Sequence, residues 1–248
     1  MKKFILSLVF ISLFYSIKSL GLINAKPLEN STDVVRLVFK NGWVCTGIYI
    51  DSETILTAAH CIHPIVQGEK ISLEKIQSEN DEVIDVHHVE NFSHPDYKEE
   101  TWHSHDLGII KTTQNKKFKG EFKIELKSKK LLGRAILYGC GKSDLVNNSR
   151  LRLFGENYYF RVGSILFFIG KSKIDNSNLG EFVSIAPNDS GGPIVDKNTG
   201  TIIGISVTTT LKDSLSYGLP TLSTATSTVE LSNLNFILSH MDKTINGN

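Results

Sequence analysis

Apolar and polar positions along this chain fall into short runs, most of them too brief for helices. Val34–Phe39 is apolar and β-branched apart from Arg36, and a second run spans 43–50. Asn41-Gly42 between them predicts a hairpin, because a type I′ turn needs positive φ at both central residues. Asp51-Ser52-Glu53 reads as a turn and Thr54–Thr57 as the next strand. The pattern recurs at 83–89, 106–111, 131–138, 158–169 and 201–208, with clusters of Gly, Asn, Ser and Asp between. Many short strands with turn signals predict an all-β barrel or sandwich. One stretch near the end breaks the pattern. Val229, Leu231, Leu234, Phe236, Ile237, Leu238 and Met241 recur at a helical period, with Ser227 or Thr228 available as the N-cap.

The N-terminus follows another rule. Met1-Lys2-Lys3 precedes an apolar run over 4–15 interrupted only by Ser7 and Ser12. That is short of the roughly 20 residues a membrane span needs, and it matches a secretory signal peptide over residues 1–21. An uncleaved anchor is the other reading. Small residues at Ser19 and Gly21 suit cleavage before Leu22, and Ala25 offers a second point, before Lys26. The leader changes the charge. The 248 residues carry 27 basic and 26 acidic groups, a net +1. Residues 1–21 hold three Lys and no acid, so the chain from Leu22 onward has 24 basic groups against 26 acidic ones, a net −2. This gives no basic field for nucleic acid and no polybasic handle for a membrane after signal cleavage. The Lys-rich stretch at 114–130 reads as a solvated loop, since Glu121 and Glu125 are interspersed. The expected location is secreted, extracellular or periplasmic, where disulfides persist. Three cysteines exclude a disulfide-dense miniature fold and leave at least one thiol without an intrachain partner.

Three separated segments carry candidate chemistry: Thr57-Ala58-Ala59-His60-Cys61, His105-Asp106-Leu107-Gly108-Ile109-Ile110, and Asn188-Asp189-Ser190-Gly191-Gly192-Pro193. A serine hydroxyl needs a neighbouring base to act as a nucleophile. Singly, His60 reads as a core histidine, Asp106 as a turn residue and Ser190 as a loop serine. Together, in the order His, Asp, Ser within an all-β chain, they resemble the trypsin/chymotrypsin-like serine peptidases over nearly the whole chain from Leu22. The resemblance implies two packed six-stranded antiparallel β-barrels with a C-terminal α-helix, over 22–248, the halves meeting near 115–130. It implies peptide-bond hydrolysis through an acyl-enzyme, with His60 as base, Asp106 orienting it and Ser190 attacking. Protein or peptide substrates are expected, with no cofactor.

Further expectations rest on the same resemblance. The oxyanion hole would be the backbone N–H groups of Asn188 and Ser190. Asn188 stands where the family has Gly; Asn is the non-Gly residue that best tolerates positive φ. Cys45 and Cys61 would form the disulfide bracing the His loop. Cys140, in Gly139-Cys140-Gly141, would remain a small buried hydrophobe. A new N-terminus at Leu22 would insert and pair with Asp189. Ser184 would lie at the base of the substrate pocket, with Gly218 on one wall. Thr209 would narrow the pocket if the strand 206–209 aligns without a gap; with one gap, Ser206 would instead match the family serine that contacts the buried Asp. Small or medium uncharged side chains are the implied preference. His87, His88, His94, His103 and His105 lack compact ligand spacing, so no metal is expected. A catalytically weak homologue serving as a binding or adhesion module is the alternative function.

Overall fold

The computed structural model describes residues 22, 25–28, 33–63, 65–66, 69–70, 72–77, 83–84, 89–113, 118–127, 130–141, 152–170, 182–209 and 221–241. Its first half carries β1 (Lys26–Pro27), β2 (Val34–Phe39), β3 (Val44–Tyr49), β4 (Thr54–Thr57), helix α1 (Ala59–Ile62), β5 (Ile65–Val66), β6 (Glu69–Lys70), β7 (Leu73–Gln77), β8 (Val83–Ile84), β9 (Glu90–Ser93), helix α2 (Trp102–His105) and β10 (Gly108–Lys111). The second carries β11 (Leu132–Gly139), β12 (Leu153–Val162), β13 (Ile165–Gly170), β14 (Pro193–Asp196), β15 (Ile202–Thr209), β16 (Thr221–Ser227) and helix α3 (Leu231–His240).

The two halves close differently. Strands β12, β11, β14, β15, β16 and β13 pair in that order, and β12 also pairs with β13, so these six form a closed barrel with β1 added beside β12. The first half is a curled seven-stranded sheet in the order β8-β7-β2-β3-β4-β10-β9, with no closing pair among the described residues. The expected pair of barrels is thus one closed barrel and one half-barrel. Each encloses its own core. Leu37, Ile48, Tyr49, Ile55, Leu56 and Ile109 anchor the first, and Leu137, Leu166, Phe168, Ile194 and Ile203 the second. Burying each such side chain contributes about 1.5–3 kcal/mol. Leu234, Phe236 and Ile237 of α3 join the first core, so the last helix covers the half-barrel although it follows the barrel in sequence.

Several local expectations change. The Asn41-Gly42 hairpin is not a two-residue type I′ turn. Gly42 N–H donates to the Phe39 carbonyl at 2.9 Å, and only Gly42 has positive φ, at 85°. The turn is therefore centred on Lys40-Asn41, with Gly42 supplying the left-handed residue that follows. The single run at 158–169 is two strands joined by Gly163-Ser164, a two-residue turn with Gly163 at φ 59°. Neither Ser227 nor Thr228 caps α3: Ser227 ends β16, and the Glu230 carboxylate takes the N–H groups of Ser232 and Asn233.

Candidate active site

His60 and Asp106 meet because their strands pair. Gly108 of β10 lies opposite Thr57 of β4, so the residues just outside that pair fall together. Ala58 and Ala59 are fully buried, which lets α1 turn tightly against β10. Asp106 is fully buried and holds His60 twice: Oδ2 lies 2.6 Å from the ring Nδ1, and Oδ1 accepts the His60 N–H at 2.8 Å. An ionised carboxylate only accepts, so Nδ1 carries the ring proton and the lone pair falls on Nε2, the tautomer a base requires.

Ser190 arrives from the barrel on a sharp loop. Asp189 N–H donates to the Ala186 carbonyl at 3.1 Å, closing a turn over Pro187-Asn188. Proline first and a positive-φ residue second is the pattern of a type II turn, and Asn188 has φ 78°. The backbone here does require positive φ, the case in which Asn is the best substitute for Gly. Gly192 N–H returns to the Asp189 carbonyl at 2.9 Å. The Ser190 N–H has no acceptor among the described residues. The Ser190 hydroxyl donates to the Val207 carbonyl of β15 at 3.0 Å.

One residue that the sequence did not single out joins the halves. Thr46 of β3 donates its N–H to the Ser190 carbonyl (2.8 Å) and its hydroxyl to the Asn188 carbonyl (3.1 Å), and its Oγ1 accepts the Cys140 N–H (2.9 Å). It lies between Cys45 and Gly47 in an ordinary strand run, and nothing in that pattern marks it. The Cys45–Cys61 disulfide is formed, and Cys140 is a buried free thiol whose pKa burial raises to about 11.

Asp189 is fully buried. Its carboxylate accepts N–H groups from Gly141 at 3.1 Å and Ala186 at 3.0 Å, and burial raises its pKa to about 8. Leu22 packs into the second core, and among the described residues the Asp189 carboxylate is bonded to Gly141 and Ala186 rather than to Leu22. Ser184 is fully buried beside Gly170. Thr209 ends β15 opposite Ser223, while its side chain and Gly218 lie outside the described residues. Ser206 does not reach Asp106: among the described residues its buried hydroxyl has no hydrogen-bond partner. The carbonyl beside Ser190 belongs to Val207, where the pairing of β15 with β16 shifts register between Ser206 and Thr208.

This arrangement resembles solved peptidases. A Glu endopeptidase, solved in complex with MPD, matches with a TM-score of 0.63 at 15% identity, over 90% of this chain and all of its own. HL collagenase matches with a TM-score of 0.63 at 18% identity, over 89% of this chain and 99% of its own. At these identities the likeness shows the chymotrypsin-like fold. No curated protein matches the sequence significantly. The trypsin family model matches residues 24–229, most of the chain, and the chain therefore belongs to the trypsin family.

Proposed function

We propose that this protein is a secreted serine endopeptidase acting through an acyl-enzyme. The carrying observation is the His60–Asp106 pair, with Nδ1 at 2.6 Å from a fully buried carboxylate, beside a serine loop tied to the same sheet through Thr46. In the reaction the Ser190 hydroxyl turns from the Val207 carbonyl to His60 Nε2. His60 takes the proton as Oγ bonds to the substrate carbonyl carbon, and the oxyanion is met by the N–H groups of Asn188 and Ser190. The imidazolium, stabilised by Asp106, gives the proton to the leaving amine. Water then repeats the sequence on the acyl ester and frees Ser190. Ser184, Thr209 and Gly218 would line an uncharged pocket, which suits small or medium uncharged side chains.

Export and activation form one step in this reading. Leu22 and Ala25 are 4% and 2% exposed in the second core. Cleavage after Ala25 would strip both from the barrel, whereas cleavage after Gly21 keeps them and frees the Leu22 ammonium to pair with Asp189. The test of activity is a fluorophosphonate probe on the processed protein. Labelling that is lost in Ser190→Ala is expected; no labelling of correctly processed protein would leave a binding module on a peptidase scaffold.

A further inference from the structure

Thr46 of β3 is fully buried, and both partners of its hydroxyl belong to the second half of the molecule. Its Oγ1 accepts the Cys140 N–H at 2.9 Å and lies 3.1 Å from the Asn188 carbonyl oxygen. A hydroxyl has one proton and two lone pairs. The Cys140 N–H takes a lone pair, and the Asn188 carbonyl only accepts, so the proton points at Asn188. A buried hydroxyl is costly unless it is bonded, and here both of its bonds reach across to the serine side. Building on the peptidase reading of Ser190, we propose that the Thr46 hydroxyl is a positioning group for the oxyanion hole. It holds the Asn188 carbonyl away from the oxyanion, so that the N–H groups of Asn188 and Ser190 converge there.

The order of groups along the loop gives that carbonyl its weight. Between the two N–H donors stands the peptide that joins Asn188 to Asp189. It is planar, so its carbonyl and its N–H point in opposite directions. Both donors face one oxyanion only while this carbonyl points elsewhere, because a carbonyl oxygen turned inward would repel the developing charge. The peptide is pinned at each end. The Asp189 N–H donates to the Ala186 carbonyl at 3.1 Å, and the Thr46 hydroxyl holds the Asn188 carbonyl at the same distance. The next peptide is fixed through the Asp189 carbonyl, which accepts the Gly192 N–H at 2.9 Å. The pin matters at Asn188 because φ 78° is a narrow well for a residue with a Cβ. Thr46 is itself held firmly. Its N–H donates to the Ser190 carbonyl at 2.8 Å, and its carbonyl accepts the Thr57 hydroxyl at 2.7 Å. Thr57 ends β4, three positions before His60, so one residue is bonded to the oxyanion loop, the nucleophile and the strand that delivers the base. Gly191 packs so closely on the Thr46 carbonyl that a Cβ there would overlap it.

The test follows the rate of Ser190 labelling by a fluorophosphonate probe, on the processed chain, against probe concentration. The limiting rate reports the attack, during which negative charge forms in the hole; half-saturation reports probe binding. Thr46→Val keeps the side-chain shape and removes the proton. Misplacing a reacting group by about 1 Å can cost about 10²-fold, so this variant is expected to lower the limiting rate about 10–100-fold with half-saturation unchanged. Thr46→Ser, which keeps the hydroxyl, is expected to label at close to the parent rate. The pH profile of labelling is expected to keep its midpoint in both variants, because the His60–Asp106 pair is untouched. A limiting rate in Thr46→Val equal to the parent's would overturn the proposal. So would Thr46→Ser slowed as far as Thr46→Val, since packing rather than the hydroxyl would then be at work. Where Thr46→Val does not fold, Thr46→Ala takes its place, with its fold verified by melting. No labelling of the parent would instead overturn the peptidase reading, and this proposal with it.

Discussion

Asn188 and Asp189 are neighbours with opposite demands on the same turn. Asn188 must hold φ 78°, a conformation that Asn adopts cheaply and β-branched residues do not. Asn188→Val should tilt the turn and misdirect one oxyanion donor. A fall in kcat of about 10²–10³ with little change in KM is expected, while Asn188→Gly, which keeps the φ, should remain close to the parent. Equal kcat for the Val variant and the parent would remove this N–H from the reaction. Asp189 bears on stability. In the uncleaved chain it stays protonated up to about pH 8, against an ordinary value of 3.8. Between those values the unfolded chain has released this proton and the folded chain has not, so stability falls as pH rises from about 4 to about 8. Urea unfolding of uncleaved Asp189→Asn should show a flatter fall from pH 5 to pH 8. An unchanged slope would acquit the carboxylate. A paired Leu22 ammonium in the processed protein would hold Asp189 ionised and remove this dependence.

Elements differ in how far their sequences foretold them. β2, β3 and β4 were legible because short β-branched apolar runs are bounded there by turn residues. The break between β12 and β13 was not: Gly163-Ser164 sits inside a run whose flanks are apolar and aromatic, and register rather than composition places the turn. β14 (Pro193–Asp196) escaped notice because it is four residues long and starts with proline. The α3 start was misplaced because Ser227 and Thr228 look like caps, yet their hydroxyl-bearing run completes β16 before Glu230 takes the role. At this scale the disulfide gives the clearest measurement. It ties β3 to α1 across a separation of 16 residues. The double variant Cys45→Ala/Cys61→Ala should lose about 3 kcal/mol, roughly 6–12 °C in Tm. A Tm within about 2 °C of the parent would show that the His loop is held by packing alone.

Across the whole molecule the proposed leader removal has the widest consequence, because Leu22 and Ala25 belong to the barrel core. Protein recovered from the medium or periplasm is expected to begin at Leu22. A start at Lys26 would break the proposed pairing with Asp189 and take Leu22 and Ala25 from the second core. The sequence by itself determined the strand-rich class, the leader pattern and the candidate residues His60, Asp106 and Ser190, because short apolar runs, turn residues and short motifs are local. It placed an asparagine where a left-handed backbone proved to be required. The tertiary structure decided what depends on distant parts meeting. It closed one half into a barrel and left the other as a curled sheet. It laid α3 over the half-barrel and clasped the serine loop through Thr46. Those outcomes come from strand register and shared cores, and neither is written in the spacing of residues along the chain.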